Sequence, residues 1–111
     1  MTRERGLAIA RAQSKKSKYK VQVGCVIIKS GRVIGKGFNK VKPNVDPPAY
    51  AYSIHAEVDA VNSISSFKRL DRATVYVYRE YKNGTSALSK PCSRCMSTLQ
   101  AVGFKKIRWS K

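Results

Sequence analysis

The stretch "VQVGCVII" (21–28) is apolar at almost every position and rich in β-branched residues, the pattern of a strand buried on both faces. "VIGKGFN" (33–39) follows "KSGR", and a tight turn at Gly31 makes Val21 to Asn39 an antiparallel hairpin. Gly35 and Gly37 leave two positions of the second strand without side chains, which marks a bulge or the close approach of another backbone. "ATVYVYR" (73–79) and "KKIRW" (105–109) read as two further strands. Elsewhere the period is helical. Residues 3 to about 14 form a first helix that Thr2 can cap. A second runs from about Ile54 to Phe67 behind Ser53 as N-cap, with Val58, Val61, Ile64 and Ser65 along one stripe. A third starts near Ser93 and ends at Gly103. "KVKPNVDPPAYAY" (40–52) is a proline-punctuated loop, and "EYKNGTSALSK" (80–90) is a loop with a turn at Asn83-Gly84.

The order is therefore helix, strand, strand, helix, strand, helix, strand. Two crossover connections end in strands, which predicts a partly parallel sheet. The expected architecture is α/β: a three-layer α/β/α sandwich whose mixed sheet has about four strands, in order 2-1-3-4, beginning with an antiparallel hairpin. The last strand, "KKIRW", then lies at an edge, where its Lys and Arg discourage pairing with another chain.

Charge adds a constraint that the pattern does not. The 111 residues suit one domain, 1–111, with 1–20 as a basic N-terminal helix and loop. Lys and Arg number 23 against 6 Asp and Glu, a net charge of +17. A compact domain repels itself at that charge unless it meets a polyanion, and nucleic acid ranks ahead of an anionic membrane surface. No membrane partner is expected, because no apolar run approaches the length of a transmembrane helix. The apolar patch Leu7 to Ala10 is too short for the apolar region of a signal peptide, so the expected location is intracellular, cytoplasmic or nucleoid-associated, and not secreted. Three cysteines, two of them in one C-x-x-C, point to reduced thiols at a metal or redox site rather than to a disulfide framework.

The scarce residues concentrate in two places. "SIHAEVDAV" (53–61) holds the one histidine, and "SKPCSRC" (89–95) holds Cys92 and Cys95. A C-x-x-C at a helix start turns both thiolates toward one point, and a histidine at the start of another helix can reach it. Three nitrogen and sulfur donors suit Zn²⁺ and leave a fourth position for water, the arrangement of catalytic zinc. Helix N-termini favour thiolates. Glu57, two residues beyond His55, can approach that water without ligating the metal and carry its proton. Separately, the C-x-x-C reads as a redox pair, His55 as a cap and Glu57 as a first-turn acid. Together they form one zinc site.

"HAE" (55–57) and "PCSRC" (91–95) reproduce the H-x-E…P-C-x-x-C signature of zinc-dependent nucleobase deaminases. The chain resembles the cytidine/deoxycytidylate deaminase superfamily over nearly its whole length, as a minimal single-domain member. "VQVGCVII", "RVIGKGFN" and "ATVYVY" are similar to the family's first three strands. The resemblance implies that His55, Cys92 and Cys95 hold zinc and that Glu57 is the catalytic proton carrier. It implies that Asn39 contacts the nucleoside and that the backbone of Ala56 hydrogen-bonds the base. Cys25 stands where the family has a small residue and is expected to be a core thiol. The implied reaction is hydrolysis at C4 of cytosine or C6 of adenine, with Glu57 protonating the ring nitrogen and then the departing amine.

The expected substrate is cytosine in single-stranded nucleic acid, DNA ahead of RNA. Lys36, Lys40 and Lys42 near the end of strand two, and Lys90 and Arg94 beside the cysteines, would meet phosphates, while Tyr50 and Tyr52 would stack bases. Cytosine is preferred to adenine because "SKPC" stands where tRNA adenosine deaminases carry an acid before the proline. The alternatives are a free-nucleotide dCMP or cytidine deaminase, which "VQVG" and "SIHAE" also resemble, a tRNA adenosine deaminase, and a non-catalytic basic zinc domain that binds nucleic acid. No spare His/Cys pair exists for the second zinc common in deoxycytidylate deaminases. A monomer or small homo-oligomer is expected.

Overall fold

The structure, a computed structural model, describes residues 2–41, 53–64, 67–85 and 89–110. Strand β1 (Val21–Lys29) turns through Ser30 and Gly31 into β2 (Arg32–Phe38). Both turn residues have positive φ, 52° and 75°, the primed geometry that matches the twist of a two-residue hairpin. Ile27 pairs with Gly35 but Ile28 with Val33, so Ile34 is an extra residue and the expected irregularity falls beside Gly35.

Two-residue strands β3 (Lys40–Val41) and β4 (Ser53–Ile54) form a small antiparallel ladder of their own, which the sequence pattern did not predict. Helix α2 (Ala56–Asn62), strand β5 (Thr74–Tyr81), helix α3 (Ser93–Val102) and strand β6 (Lys106–Trp109) complete the chain after the first helix, α1 (Arg3–Ser14). The main sheet runs β2-β1-β5-β6. This is the expected 2-1-3-4 order once the short ladder is set aside. Strand β1 is antiparallel to both neighbours, and β5 is parallel to β6. Helices lie on both sides, as the three-layer reading requires.

Strand β1 serves two cores because its side chains alternate between faces. Cys25 and Ile27 join Val75, Val77, Ala60, Leu99 and Phe104 under α2 and α3. Val26 and Ile28 join Ala10 and Tyr76 under α1. Close approach is possible only where β-carbons are missing. A Cβ at Gly37 would stand 2.5 Å from Ala60 N and 2.6 Å from Ala56 O, and one at Gly24 would stand 2.0 Å from Ala10 O. Both helices thus rest directly on strand backbone.

Helix α1 begins as expected, with the Thr2 hydroxyl accepting from Arg5 N at 3.2 Å. Helix α3 ends at Gly103, whose φ of 120° suits glycine. Helix α2 corrects the expected span Ile54 to Phe67. Ile54 belongs to β4, His55 rather than Ser53 takes the N-cap position, and the helix stops at Asn62. The cause is Ser63. Its hydroxyl accepts from Lys36 N at 2.9 Å and lies 3.0 Å from Lys36 O, tying the chain to β2 at the point where another turn would begin. Val61 and Ile64 still pack on the core, while Ser65 lies outside the described residues.

Candidate metal centre and active site

Because β2 and β5 each lead through a connection to a helix, the N-termini of α2 and α3 come together at the same end of the sheet. His55 is the N-cap of α2, and Cys92 is the N-cap of α3. Neither side chain bonds its own helix backbone, so the reading of His55 as a simple cap fails. Cys95 lies in the first turn of α3, where Met96 N bonds Cys92 O at 2.8 Å. His55 Nδ1 and Cys95 Sγ are 3.2 Å apart, and the donor atoms of His55, Cys92 and Cys95 all lie within 4.8 Å of one another.

Two sulfurs and one imidazole nitrogen at this spacing fit a zinc ion with one position left for water. Cys95 is buried, while His55 and Cys92 open to solvent. Burial, and then the negative charge of Glu57, push the Cys95 thiol well above its ordinary range. Cys25, wholly buried, is pushed up in the same way. A dication is what stabilises thiolates in such surroundings. Cys25 packs within the core cluster and is not part of the ligand group, in keeping with its expected role.

A cleft of about 720 Å³ opens over this centre. That is ample for a nucleotide-sized ligand. His55, Ala56, Glu57 and Cys92 line it together with Asn39, Val21, Val23 and Val77. Glu57, in the first turn of α2, is 6% exposed and acts electrostatically on Cys95, so it meets both the metal ligands and the cleft. Asn39 lines the cleft as well, but its carboxamide is already engaged: Oδ1 accepts from Val23 N and Nδ2 donates to Val21 O, each at 2.9 Å. One N–H and one lone pair remain.

The expected phosphate contacts divide. Lys90 lines the cleft, its Nζ 5.8 Å from the Trp109 ring centroid. Arg94 is exposed on α3 and does not line the cleft. Lys36 is exposed along β2, and Lys40 pairs with Asp59 at 2.9 Å. Lys42, Tyr50 and Tyr52 lie outside the described residues. Tyr19, Lys20 and Arg79 line the cleft without having been in the expected set. Their signal was the strand order. An antiparallel β1 between β2 and β5 carries the residues just before Val21 to the ends of both neighbours, and Val21 pairs with Tyr81.

The model of the cytidine and deoxycytidylate deaminase zinc-binding region matches residues 2–111, and the chain belongs to that family. It is a zinc-binding deaminase of the cytidine/dCMP type, with His55, Cys92 and Cys95 positioned to hold the ion. Among solved structures, the dCMP deaminase of cyanophage S-TIM5 is similar over 98% of this chain and 84% of that one, with TM-score 0.72 and 19% identity. The guanine deaminase of Bacillus subtilis is similar over 99% of this chain and 64% of that one, with TM-score 0.69 and 23% identity. The cytidine deaminase of Burkholderia pseudomallei is similar over 89% of this chain and 75% of that one, with TM-score 0.66 and 21% identity. At these identities the likeness is one of fold. A search of curated proteins found no match. No helix among the described residues is long and apolar enough to cross a membrane.

Proposed function

We propose that the chain hydrolytically deaminates cytosine to uracil in a single-stranded polynucleotide, DNA ahead of RNA. The observation that carries this reading is the cationic rim of the cleft. Lys20, Arg79 and Lys90 stand there exposed, and among the described residues none of the four ion pairs supplies them with a carboxylate. The same cleft is lined by a buried carboxylate, Glu57, beside the metal ligands.

His55, Cys92 and Cys95 would hold zinc, which when bound supplies a Lewis acid that lowers the pKa of a water to about 7. Glu57 would carry one proton of that water to the ring nitrogen of the base as the water oxygen bonds to C4, and then carry the oxygen's second proton to the exocyclic amine. The C4–N bond breaks, a C4 carbonyl replaces it, and ammonia leaves. The N–H of Ala56, in the first turn of α2, has no partner within the helix and can donate to the base carbonyl. The remaining N–H of Asn39 can serve the sugar. Lys20, Arg79 and Lys90 hold phosphate.

A free-nucleotide reading draws support from the fold likeness to a dCMP deaminase. One phosphate would occupy the same three cations, but the excess of +17 would then have no counterpart. Zinc-loaded protein offered single-stranded DNA, single-stranded RNA, duplex DNA, tRNA, dCMP and cytidine decides between them. The expected result is uracil formed in single-stranded DNA, with binding that weakens steeply as salt rises. Turnover confined to dCMP or cytidine overturns the polynucleotide reading, and inosine in tRNA overturns the choice of cytosine.

A further inference from the structure

A second cavity, of about 460 Å³, adjoins the cleft. Lys16, Lys18, Tyr19, Phe38, Asn39 and Lys40 line it, and Tyr19 and Asn39 line both spaces. We propose that it is a second nucleotide subsite, which seats the base and phosphate next to the target cytosine in the same strand. The proposal rests on the polynucleotide reading above and extends it to a particular place.

The chemistry of the lining is aromatic and cationic. Phe38 already carries a cation, with Lys40 Nζ 4.2 Å from its ring centroid. Lys40 is neutralised by Asp59 at 2.9 Å. Lys16 and Lys18 are exposed and have no carboxylate among the described residues. Tyr19 carries the one buried side-chain polar atom without a hydrogen-bond partner among the described residues, its hydroxyl. Two aromatic rings and two uncompensated ammonium groups are the parts that bind a base and its phosphodiester in single strands.

The backbone that presents them is held in place. After α1 ends, Ser17 is buried, and its carbonyl accepts from Gln22 Nε2 at 2.8 Å while its hydroxyl accepts from Tyr19 N at 3.3 Å. Just before it, Lys15 is paired with the buried Glu80. Lys16, Lys18 and Tyr19 therefore project from a fixed segment. A backbone segment held in place before binding loses less entropy when the ligand arrives. The shared wall also explains why the occupant should be part of a strand: a ligand that fills the cleft and continues past Tyr19 enters the second cavity without leaving the cationic surface.

The test is a set of single-stranded DNA trimers with one central cytosine, in which either neighbouring base is replaced by an abasic sugar, run beside dCMP with the zinc-loaded full chain. Removal of the base on one side, and not the other, is expected to lower kcat/KM about tenfold, the effect of one stacked base. The double variant Lys16→Ala, Lys18→Ala is expected to lower kcat/KM on the intact trimer by a similar factor while shifting the value for dCMP less than twofold. A trimer with 2-aminopurine at the sensitive position should lose fluorescence on binding, and lose less with Phe38→Leu. If trimers react but neither abasic trimer differs from the intact one, the subsite is refuted and the polynucleotide reading stands. A lysine effect without a base effect refutes the seated base. If dCMP reacts and no trimer does, both fall together.

Discussion

Two buried carboxylates lie on opposite faces of one sheet. Glu80, on β5, is 1% exposed on the α1 side; Glu57, in α2, is 6% exposed on the metal side. Glu80 is fully engaged: Arg11 Nε donates to Oε2 at 3.0 Å, Tyr78 donates to it at 2.6 Å, and Lys15 pairs with Oε1. Hydrogen bonds from Lys15 first, then Tyr78 and Arg11, hold its carboxyl down at about 2. Glu57 has no ion pair among the described residues and has thiols for neighbours. A carboxylate whose oxygens are saturated by fixed donors can only hold the fold together. One that lines a cleft beside the residues placed to hold a metal is positioned for the proton-carrying role proposed for it.

The sharpest break of this comparison is Glu57→Ala. Deamination should fall by roughly two to four orders of magnitude, while zinc content, measured on the purified protein, stays near one ion per chain. Survival of activity would show that the proton travels by another group. Glu80→Ala should do the reverse. It leaves two half-exposed cations without their anion and should cost roughly 2–3 kcal/mol in denaturant unfolding, with kcat/KM of the folded protein changed less than threefold. The glycines allow a milder version. Gly37→Ala and Gly24→Ala should each cost about 1–3 kcal/mol by forcing a helix off a strand. Only Gly37→Ala, which moves the helix that carries Glu57, should also lower kcat/KM, by about tenfold; an equal loss in Gly24→Ala would erase the distinction between faces. The smallest effect is in pH. Glu80's folded pKa, about 2, lies below its ordinary 4.5, so its contribution is present above about 4.5 and disappears as pH falls toward 2. The stability gap between the parent and Glu80→Gln, followed by denaturant titration, should close across that window; a gap constant from pH 6 to 2 would mean that the pairing does not depend on the charge.

Much of this was legible from the chain. The two-sided burial of β1 follows from its unbroken apolar run. Gly103 and Thr2 end and begin helices through local backbone chemistry. The zinc ligands could be named because Cys92 and Cys95 are adjacent on one helix turn and His55 is unique. What failed did so for a nonlocal reason. The helical stripe of α2 runs on past Asn62 in the sequence, but Ser63 bonds the backbone of β2, a partner that no local pattern contains. Lys36 and Lys40 lie close to Asn39 along the chain, yet one projects from β2 and the other is paired with Asp59.

Spacing and periodicity alone determined the main helices and strands apart from the end of α2 and the short β3–β4 ladder, their order in the main sheet, the metal ligands and the candidate proton carrier, because each depends on residues within a few turns of one another or on the rules of strand connection. Only the tertiary structure added Tyr19, Lys20 and Arg79 to the expected residues of the cleft, among them Lys90. Tyr19, Lys20, Arg79 and Lys90 come from three separate stretches of chain. They meet because β1 runs antiparallel between β2 and β5, and burial of a shared hydrophobic strand brings its flanking polar residues to the rim.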